Sequence, residues 1–228
     1  MREGIGRRIR EVQVRIADAA VRSGRDPGEI TLVAVTKTVP VVEIQAAYDE
    51  GLRDFGENRV QEALPKVESM PSDIRWHLIG RLQTNKINKV LGRFGLIHSV
   101  DSIDLARGIS QRSTGCVQDI LLEVNTSGEG TKAGVGIGEA IRQAQEIARL
   151  PGLVLRGLMT VGPQTEDAGV RREAFRRLQD LYGEIRSSGY AGGSFNILSM
   201  GMSSDYEDAV AMGSTHVRVG TALFGERA

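Results

Sequence analysis

The chain has few of the residues that mark specialised classes of protein. Of its 228 residues one is a cysteine, Cys116, and 4% are aromatic, while Lys plus Arg equals Asp plus Glu at 29 each. A single cysteine excludes an intrachain disulfide and fits a reducing compartment, so we expect a cytoplasmic protein. Zero net charge with so few aromatic residues gives no electrostatic basis for binding nucleic acid or an acidic membrane.

Long apolar runs are also missing. No segment approaches the roughly 20 apolar residues needed to cross a bilayer. The first 20 residues lack the apolar centre of a secretory signal, and Glu3, Glu11 and Asp18 argue against a mitochondrial transit peptide. Their periodicity instead predicts an amphipathic helix. Its apolar face consists of Ile5, Ile9, Val12, Ile16 and Ala19.

Short apolar segments recur along the rest of the chain and predict buried parallel strands. The candidates are Thr31–Lys37, Asp54–Asn58, Arg75–Gly80, Leu96–Asp101, Asp119–Asn125, Leu155–Thr160, Phe195–Gly201 and His216–Thr221. Amphipathic stretches separate them, at Val41–Gly51, Asn58–Met70, Asn85–Leu91, Ser102–Arg112, Ile137–Leu150, Glu166–Ser188 and Ser204–Met212. Ser204 with Glu207 three residues later predicts a capping box at the start of the last helix.

Eight strands alternating with helices indicate an α/β protein with a parallel sheet. Eight units favour closure into a (β/α)8 TIM barrel over a doubly wound open sheet, the alternative. The extra N-terminal helix would occupy the place of a helix missing after the eighth strand. We therefore expect one domain over residues 1–228, without an internal repeat or a linker.

The active site of such a barrel lies at the carboxyl ends of the strands. The first strand is predicted to end at Lys37, on the same face as Val33 and Val35. A lysine at the end of an apolar run is partly desolvated, which favours the neutral amine that attacks an aldehyde to form an imine. The alternative is a lysine that simply reaches solvent at a strand end.

The last two strands end in residues suited to an anion. Gly201 and Gly220 would let the backbone approach a ligand, and Ser203 and Thr221 offer hydroxyl groups. Loops at these positions commonly bind phosphate in this fold, with help from helix N-termini. Turn glycines and helix caps alone would give the same pattern. A phosphate site facing an imine-forming lysine fits pyridoxal 5′-phosphate (PLP), or a phosphorylated substrate of a Schiff-base aldolase.

Eight segments of the sequence resemble the PLP homeostasis proteins, which are related in fold to the N-terminal domain of alanine racemase. They are AVTKTVP (34–40), DFGENRVQE (54–62), WHLIGRLQTNK (76–86), HSVDS (98–102), LEVNTSGEGTKAGV (122–135), LRGLMTVGP (155–163), LSMGMSSDYEDAVAMGST (198–215) and VRVGTALFG (217–225). They occur in order at predicted strand ends and span nearly the whole chain.

The resemblance implies that Lys37 holds PLP covalently as the internal aldimine. It further implies a set of cofactor-binding residues. They are Ser203, Gly220 and Thr221 for the phosphate, Arg218 for the pyridine nitrogen, and Asn58, His77 and Met159 lining the pocket. An arginine has no acceptor and stays protonated, so Arg218 would donate to an unprotonated pyridine nitrogen and weaken the ring as an electron sink. Arg218 in a structural salt bridge, and His77 and Met159 in core packing, are the alternatives.

The resemblance implies intracellular balancing of vitamin B6 vitamers without dedicated catalytic turnover. An amino-acid racemase of weak or specialised activity is the alternative function. Racemisation requires an acid/base group on each face of the substrate carbon, and alanine racemase completes its site with a second domain that this sequence does not offer. None of the four tyrosines lies at a predicted strand end. We therefore expect no enzyme, and an aldolase is a third candidate.

The partners follow from the same hypothesis. We expect PLP, transient contact with PLP-requiring apoenzymes, no nucleic acid, no membrane and a monomer. The histidines lack metal-ligand spacing, so no metal is expected. The glycine-rich segment 128–134 matches no nucleotide-binding motif and is predicted to be a loop over the mouth.

Overall fold

The computed structural model of the protein describes residues 2–129 and 133–225, with side chains from residue 4 onward. Its strands are β1 (Thr31–Val35), β2 (Asp54–Glu57), β3 (Arg75–Leu78), β4 (Leu96–Val100), β5 (Gln118–Asn125), β6 (Val135–Gly136), β7 (Leu153–Met159), β8 (Ile197–Ser199) and β9 (His216–Val219). All pairings between them are parallel.

Eight of these strands close into a barrel. They follow one another around it in the order β1, β2, β3, β4, β5, β7, β8 and β9, and β9 pairs with β1. The two-residue β6 adds only to the end of β5. The predicted (β/α)8 barrel is therefore confirmed, and the open doubly wound sheet was wrong.

Helices surround the barrel. They are α1 (Arg2–Arg22), α2 (Val41–Asp49), α3 (Val60–Ser69), α4 (Ile87–Val90), α5 (Ile103–Ser110), α6 (Ile137–Ile147), α7 (Ala168–Ser188), α8 (Tyr206–Ala211) and α9 (Thr221–Phe224). Short 3₁₀ helices lie at Pro27–Glu29 and Thr84–Lys86. The strands alternate between an outward face, packed on these helices, and an inward face.

Helix α1 lies where the sequence predicted an extra helix. Its apolar face is buried at every position named from the periodicity: Ile5, Ile9, Val12, Ile16 and Ala19. The helix packs against α2, α8 and α9. Arg8 donates to the carbonyl of Leu223 at 2.6 Å, and Arg15 pairs with Glu207. The slot after the last strand is therefore shared between α1 and the short α9.

The inside of the barrel is unusually polar for this fold. Its apolar part is a small cluster of Leu96, Leu121, Met159 and Ile197, separate from the main core outside the strands. The remaining inward positions include charged or hydrogen-bonding side chains that are nearly inaccessible to solvent, Asp54, His77, His98, Glu123, Ser199 and Arg218. Buried polar groups of this kind need partners, because each unsatisfied one costs roughly 1–3 kcal/mol.

Candidate functional site at the barrel mouth

Lys37 lies just beyond the carboxyl end of β1, at the mouth of the barrel. The strand ends at Val35, two residues earlier than predicted, and the chain then turns with Thr38 at φ 61°. Lys37 is exposed, so the expectation that an apolar strand end would partly desolvate it was wrong. The physical reason is that Lys37 lies in a turn beyond the end of the apolar strand rather than within the strand.

A buried ion pair fixes the start of the turn that carries Lys37. Lys66 of α3 donates to Glu57 of β2 and to the carbonyl of Thr36, both at 2.7 Å. The Thr36 hydroxyl donates to the same Glu57 oxygen at 2.7 Å. The residue that precedes Lys37 is therefore fixed to a neighbouring strand and to a helix, which limits the positions open to the lysine.

The predicted phosphate-binding residues come together at the ends of β8 and β9. The Ser203 hydroxyl accepts from the backbone N–H of Gly220 at 3.1 Å and from that of Ala222 at 3.4 Å. Thr221 begins α9 and is exposed beside them. Residues 17 to 19 positions apart in sequence thus converge on one spot, as the strand-end argument required.

One expectation at the same strand end was wrong. The N-cap of α8 is Asp205 rather than Ser204, and its carboxylate accepts from Met202 N–H at 2.6 Å, so no capping box forms. A Cβ on Gly201 would lie 2.4 Å from the Cβ of Ala209 in α8, and the approach of its backbone to a ligand stays a prediction. With φ at 92°, Gly201 serves close packing of the helix on the strand.

Arg218 lies inside the barrel with its guanidinium buried. It donates to the Ser199 hydroxyl at 2.5 Å and to the carbonyl of Thr160 at 2.8 Å. Burial lowers the pKa of Arg218 to about 10, partly offset by the charges of Glu123 and Asp205. It therefore stays protonated at neutral pH. These neutral partners make it a positioned donor rather than a residue of a structural salt bridge.

The three remaining predicted residues lie at different depths. Asn58 directly follows the end of β2, and within the described residues its buried Oδ1 has no hydrogen-bond partner. Met159 packs in the apolar cluster inside the barrel. His77 lies deeper, with both ring nitrogens engaged, so its role as a direct ligand stays a prediction.

Sequence reasoning missed Glu123, a carboxyl group on the wall opposite Lys37. β5 is four strands from β1 in either direction around the barrel, and Glu123 shares the inward face of Leu121. Burial, and next the charge of Asp101, raise the pKa of Glu123 to about 7 against the attraction of Arg218 and Arg81. The available signal was the one acid within the apolar run ILLEV (120–124).

The comparisons with known proteins agree with this geometry. The family described as "Alanine racemase, N-terminal domain" matches residues 19–228. A pyridoxal phosphate homeostasis protein of Pseudomonas aeruginosa is 41% identical over 226 residues, which covers 98% of this chain and 96% of that protein. This chain belongs to the pyridoxal phosphate homeostasis protein family.

Solved structures extend the likeness to three dimensions. An unknown protein from Bifidobacterium adolescentis superposes with a TM-score of 0.95 at 44% identity, covering 98% of this chain and 95% of that one. PipY of Synechococcus elongatus, solved with PLP bound, superposes with a TM-score of 0.82 at 35% identity, covering 97% and 100%. The barrel of the present protein is therefore of the type found in the N-terminal domain of alanine racemase.

Metal sites and membrane-spanning helices are two further features to consider. In residues 2–129 and 133–225, no group of three or more His, Cys, Asp or Glu side chains could hold a metal ion. Over that same part of the chain, no helix is long and apolar enough to cross a membrane. The predicted loop at 128–134 includes residues 130–132, which lie outside the described residues.

Proposed function

We propose that this protein binds PLP at the barrel mouth as a Schiff base on Lys37 and serves PLP homeostasis rather than a dedicated catalytic reaction. The observation that carries the proposal is the convergence of an exposed lysine, a Ser203–Gly220 anion cradle and a buried Arg218 at one strand-end surface. The names of the relatives and the PLP in PipY support it. We propose further that residues 1–228 act as one unit and as a monomer.

The residues present fit the two ends of the cofactor. The N–H groups of Gly220 and Ala222 donate to the Ser203 hydroxyl oxygen, which orients the hydroxyl so that its own proton can go to a phosphate oxygen. At the other end, Arg218 uses only part of its five N–H donors on protein partners. The Oδ1 of Asn58, just beyond the end of β2, is a further polar atom without a partner in the described part of the chain.

The buried guanidinium argues for a carrier. When bound, PLP supplies an aldehyde that forms an imine with an amine, and a ring that withdraws electrons best when its nitrogen is protonated. Arg218 only donates, so it favours the unprotonated ring nitrogen and limits electron withdrawal. The side chain therefore orients the cofactor while leaving it a poor catalyst of carbanion chemistry.

The decisive experiment locates the covalent bond. We expect the PLP-treated protein to show the visible absorption band of a protonated Schiff base and, after borohydride reduction, to carry the cofactor mass on the peptide that contains Lys37. Lys37→Ala should lose both signals. Lys86→Ala, at another lysine of the same face, should keep them. Absence of the band from the wild-type protein, or equal labelling of Lys37→Ala, would disprove the proposal.

A second variant tests the phosphate cradle. Ser203→Ala removes the hydroxyl to which two backbone N–H groups donate hydrogen bonds. Because hydrogen bonds to charged groups contribute roughly 1.5–3 kcal/mol, we expect the Kd for PLP to rise about tenfold or more. The Kd for pyridoxal, which has no phosphate, should not change. Absorbance titration with both ligands measures the difference, and equal losses for the two would refute the assignment.

An amino-acid racemase remains the second candidate, because Glu123 supplies the acid/base group that the tyrosines did not. With a pKa near 7 it could exchange a proton at neutral pH from the wall opposite Lys37. Exchange of the α-hydrogen of amino acids in D₂O discriminates the two functions. Exchange at enzymatic rates that disappears in Lys37→Ala and in Glu123→Gln would replace the carrier function with catalysis.

The cellular setting follows from the carrier hypothesis. We propose a cytoplasmic location, which suits a protein whose one cysteine, Cys116, is unbridged. We also propose that the exposed position of Lys37 allows PLP to pass to apoenzymes during transient contact. Transfer is measured by mixing the loaded protein with a PLP-requiring apoenzyme and following the recovery of that enzyme's activity.

A further inference from the structure

A continuous chain of hydrogen bonds runs through the inside of the barrel. Asp54 Oδ1 lies 3.0 Å from His77 Nε2, and His77 Nδ1 lies 2.9 Å from His98 Nε2. His98 Nδ1 lies 3.0 Å from the Ser199 hydroxyl, which accepts from Arg218 at 2.5 Å. We call these five residues the interior chain. Members of it come from β2, β3, β4, β8 and β9, so only closure of the barrel assembles it.

The two ends of the interior chain fix its direction. Arg218 can only donate, and an ionised Asp54 can only accept. The Ser199 proton must then go to His98 Nδ1, which leaves the His98 proton on Nε2 to reach His77 Nδ1. The His77 proton lies on Nε2 and reaches Asp54. The reversed order would set the bare Nε2 of His77 against the carboxylate.

The charge states agree with this assignment. Burial raises the pKa of Asp54, but hydrogen bonds from Arg75 and His77 hold it well below its ordinary value, so Asp54 is ionised. Burial, together with the charge of Arg218, holds the pKa of His98 well below its ordinary value, so His98 is neutral. With His77 also neutral, this one set of proton positions satisfies each link of the chain.

The far end of the interior chain lies at the opposite opening of the barrel. Asp54 begins β2 and pairs there with Arg75, which begins β3 and is largely exposed. Both residues line a cavity of about 530 Å³ beneath the strands. The chain thus ties Arg218 to an ion pair at the end of the barrel remote from Lys37.

We propose that Asp54, His77, His98 and Ser199 are positioning residues that hold the Arg218 guanidinium toward the pyridine ring of PLP. The proposal rests on the proposed function, because Arg218 is assigned to PLP there. Ser199 and the carbonyl of Thr160 fix two of the guanidinium nitrogens, and His98 fixes Ser199 in turn. Removing an inner link leaves Ser199 free to rotate, and the orientation of Arg218 toward the ring is lost.

The first test uses the protein without PLP, so it does not depend on the proposed function. Long-range ¹H–¹⁵N NMR spectra distinguish the two tautomers of each histidine ring. We expect the Nε2–H tautomer for both His77 and His98. An Nδ1–H tautomer at either ring, or a charged ring at neutral pH, would contradict the direction of the chain and overturn the proposal.

The second test uses His98→Phe with His216→Phe as the matched control. His216 is partly buried, and its ring centroid lies 6.2 Å from that of His77 and 6.3 Å from that of His98. Its Nδ1 lies 3.1 Å from the Thr215 hydroxyl, which is not a member of the interior chain. At metal sites, hydrogen bonds that orient the ligating side chains contribute on the order of 10–100-fold in affinity, and we expect an effect of similar size here. We expect His98→Phe to raise the Kd for PLP about tenfold and to shift the absorption maximum of the bound cofactor, while His216→Phe leaves both near wild type.

A pair of substitutions at Ser199 keeps the proposal falsifiable if His98→Phe fails to fold. Ser199→Ala removes the link next to Arg218, and Ser199→Thr retains the hydroxyl. We expect the alanine variant to shift the absorption maximum and weaken binding as His98→Phe does, and the threonine variant to restore both. Equal spectra for wild type and Ser199→Ala, in a protein that still labels at Lys37, would overturn this inference and leave the PLP site standing.

Discussion

Replacing Lys66 with methionine is expected to lower the free energy of unfolding by about 3–5 kcal/mol, because it leaves a buried carboxylate without its counter-ion. The Glu57 side chain is fully inaccessible and that of Lys66 is only 11% exposed. One Glu57 oxygen already has no hydrogen-bond partner. In the variant, the Thr36 hydroxyl would be the only remaining donor to that carboxylate among the described residues.

Urea unfolding measures this prediction against two controls. Lys89→Met, at an exposed lysine of α4, should change the unfolding free energy by no more than roughly 0.5 kcal/mol. The double variant Glu57→Leu/Lys66→Met removes both charges and should recover most of the loss, since apolar pairs often replace buried ion pairs without cost. If the double variant loses the sum of two large single effects, the buried charge is not the cause.

The Lys66 substitution should also weaken the cofactor site. The lysine donates to the carbonyl of Thr36, the residue before Lys37. Without that bond the turn has more freedom, and forming a covalent bond at Lys37 must then restrict it. We expect slower and weaker PLP loading of Lys66→Met than of Lys89→Met, at a temperature where both remain folded.

Replacing Glu123 with glutamine is expected to remove a pH dependence of stability between about pH 4.5 and 7. Burial raises the pKa of Glu123 from its ordinary 4.5 to about 7 in the folded protein. Across this window the folded state holds a proton that the unfolded chain releases, so stability falls as the pH rises. The gap between the two values corresponds to ~3 kcal/mol.

The wild-type protein and Glu123→Gln should therefore have similar unfolding free energies near pH 5. At pH 8 the glutamine variant should be the more stable by up to ~3 kcal/mol, because it avoids an ionised buried carboxyl. Glu68→Gln, at an exposed position of α3, is the control and should follow the wild-type profile. Parallel profiles for Glu123→Gln and wild type would show that Glu123 ionises normally.

The position of Glu123 on the barrel wall opposite Lys37 connects its pH-dependent charge to the function of the site. A carboxyl that titrates near neutrality faces the mouth across from Lys37, so its charge changes the field at a bound cofactor. The same variant that tests stability thus also tests the racemase alternative. The unfolding measurement and the α-hydrogen exchange assay both use Glu123→Gln, and the result of one does not determine the result of the other.

Much of the fold followed from the sequence because its signals are local. Apolar runs of four to seven residues and the periodicity of α1 depend only on neighbours in the chain, and the eight strands and the buried face of α1 were correct. The positions of Lys37, Ser203, Gly220 and Arg218 at strand ends followed from the same alternation. The local signal was weaker at helix starts, where Asp205 rather than Ser204 caps α8.

The sequence by itself determined the barrel, the strand ends and the residues that meet at its mouth, since parallel strands place their carboxyl ends on one side. Only the tertiary structure decided which interior groups pair. The partners Asp54, His77, His98, Ser199 and Arg218 are separated by up to 164 positions in the sequence, and their hydrogen bonds exist only once the barrel closes. The same closure set Glu123 opposite Lys37 and buried it, because burial depends on distant strands that no local pattern describes.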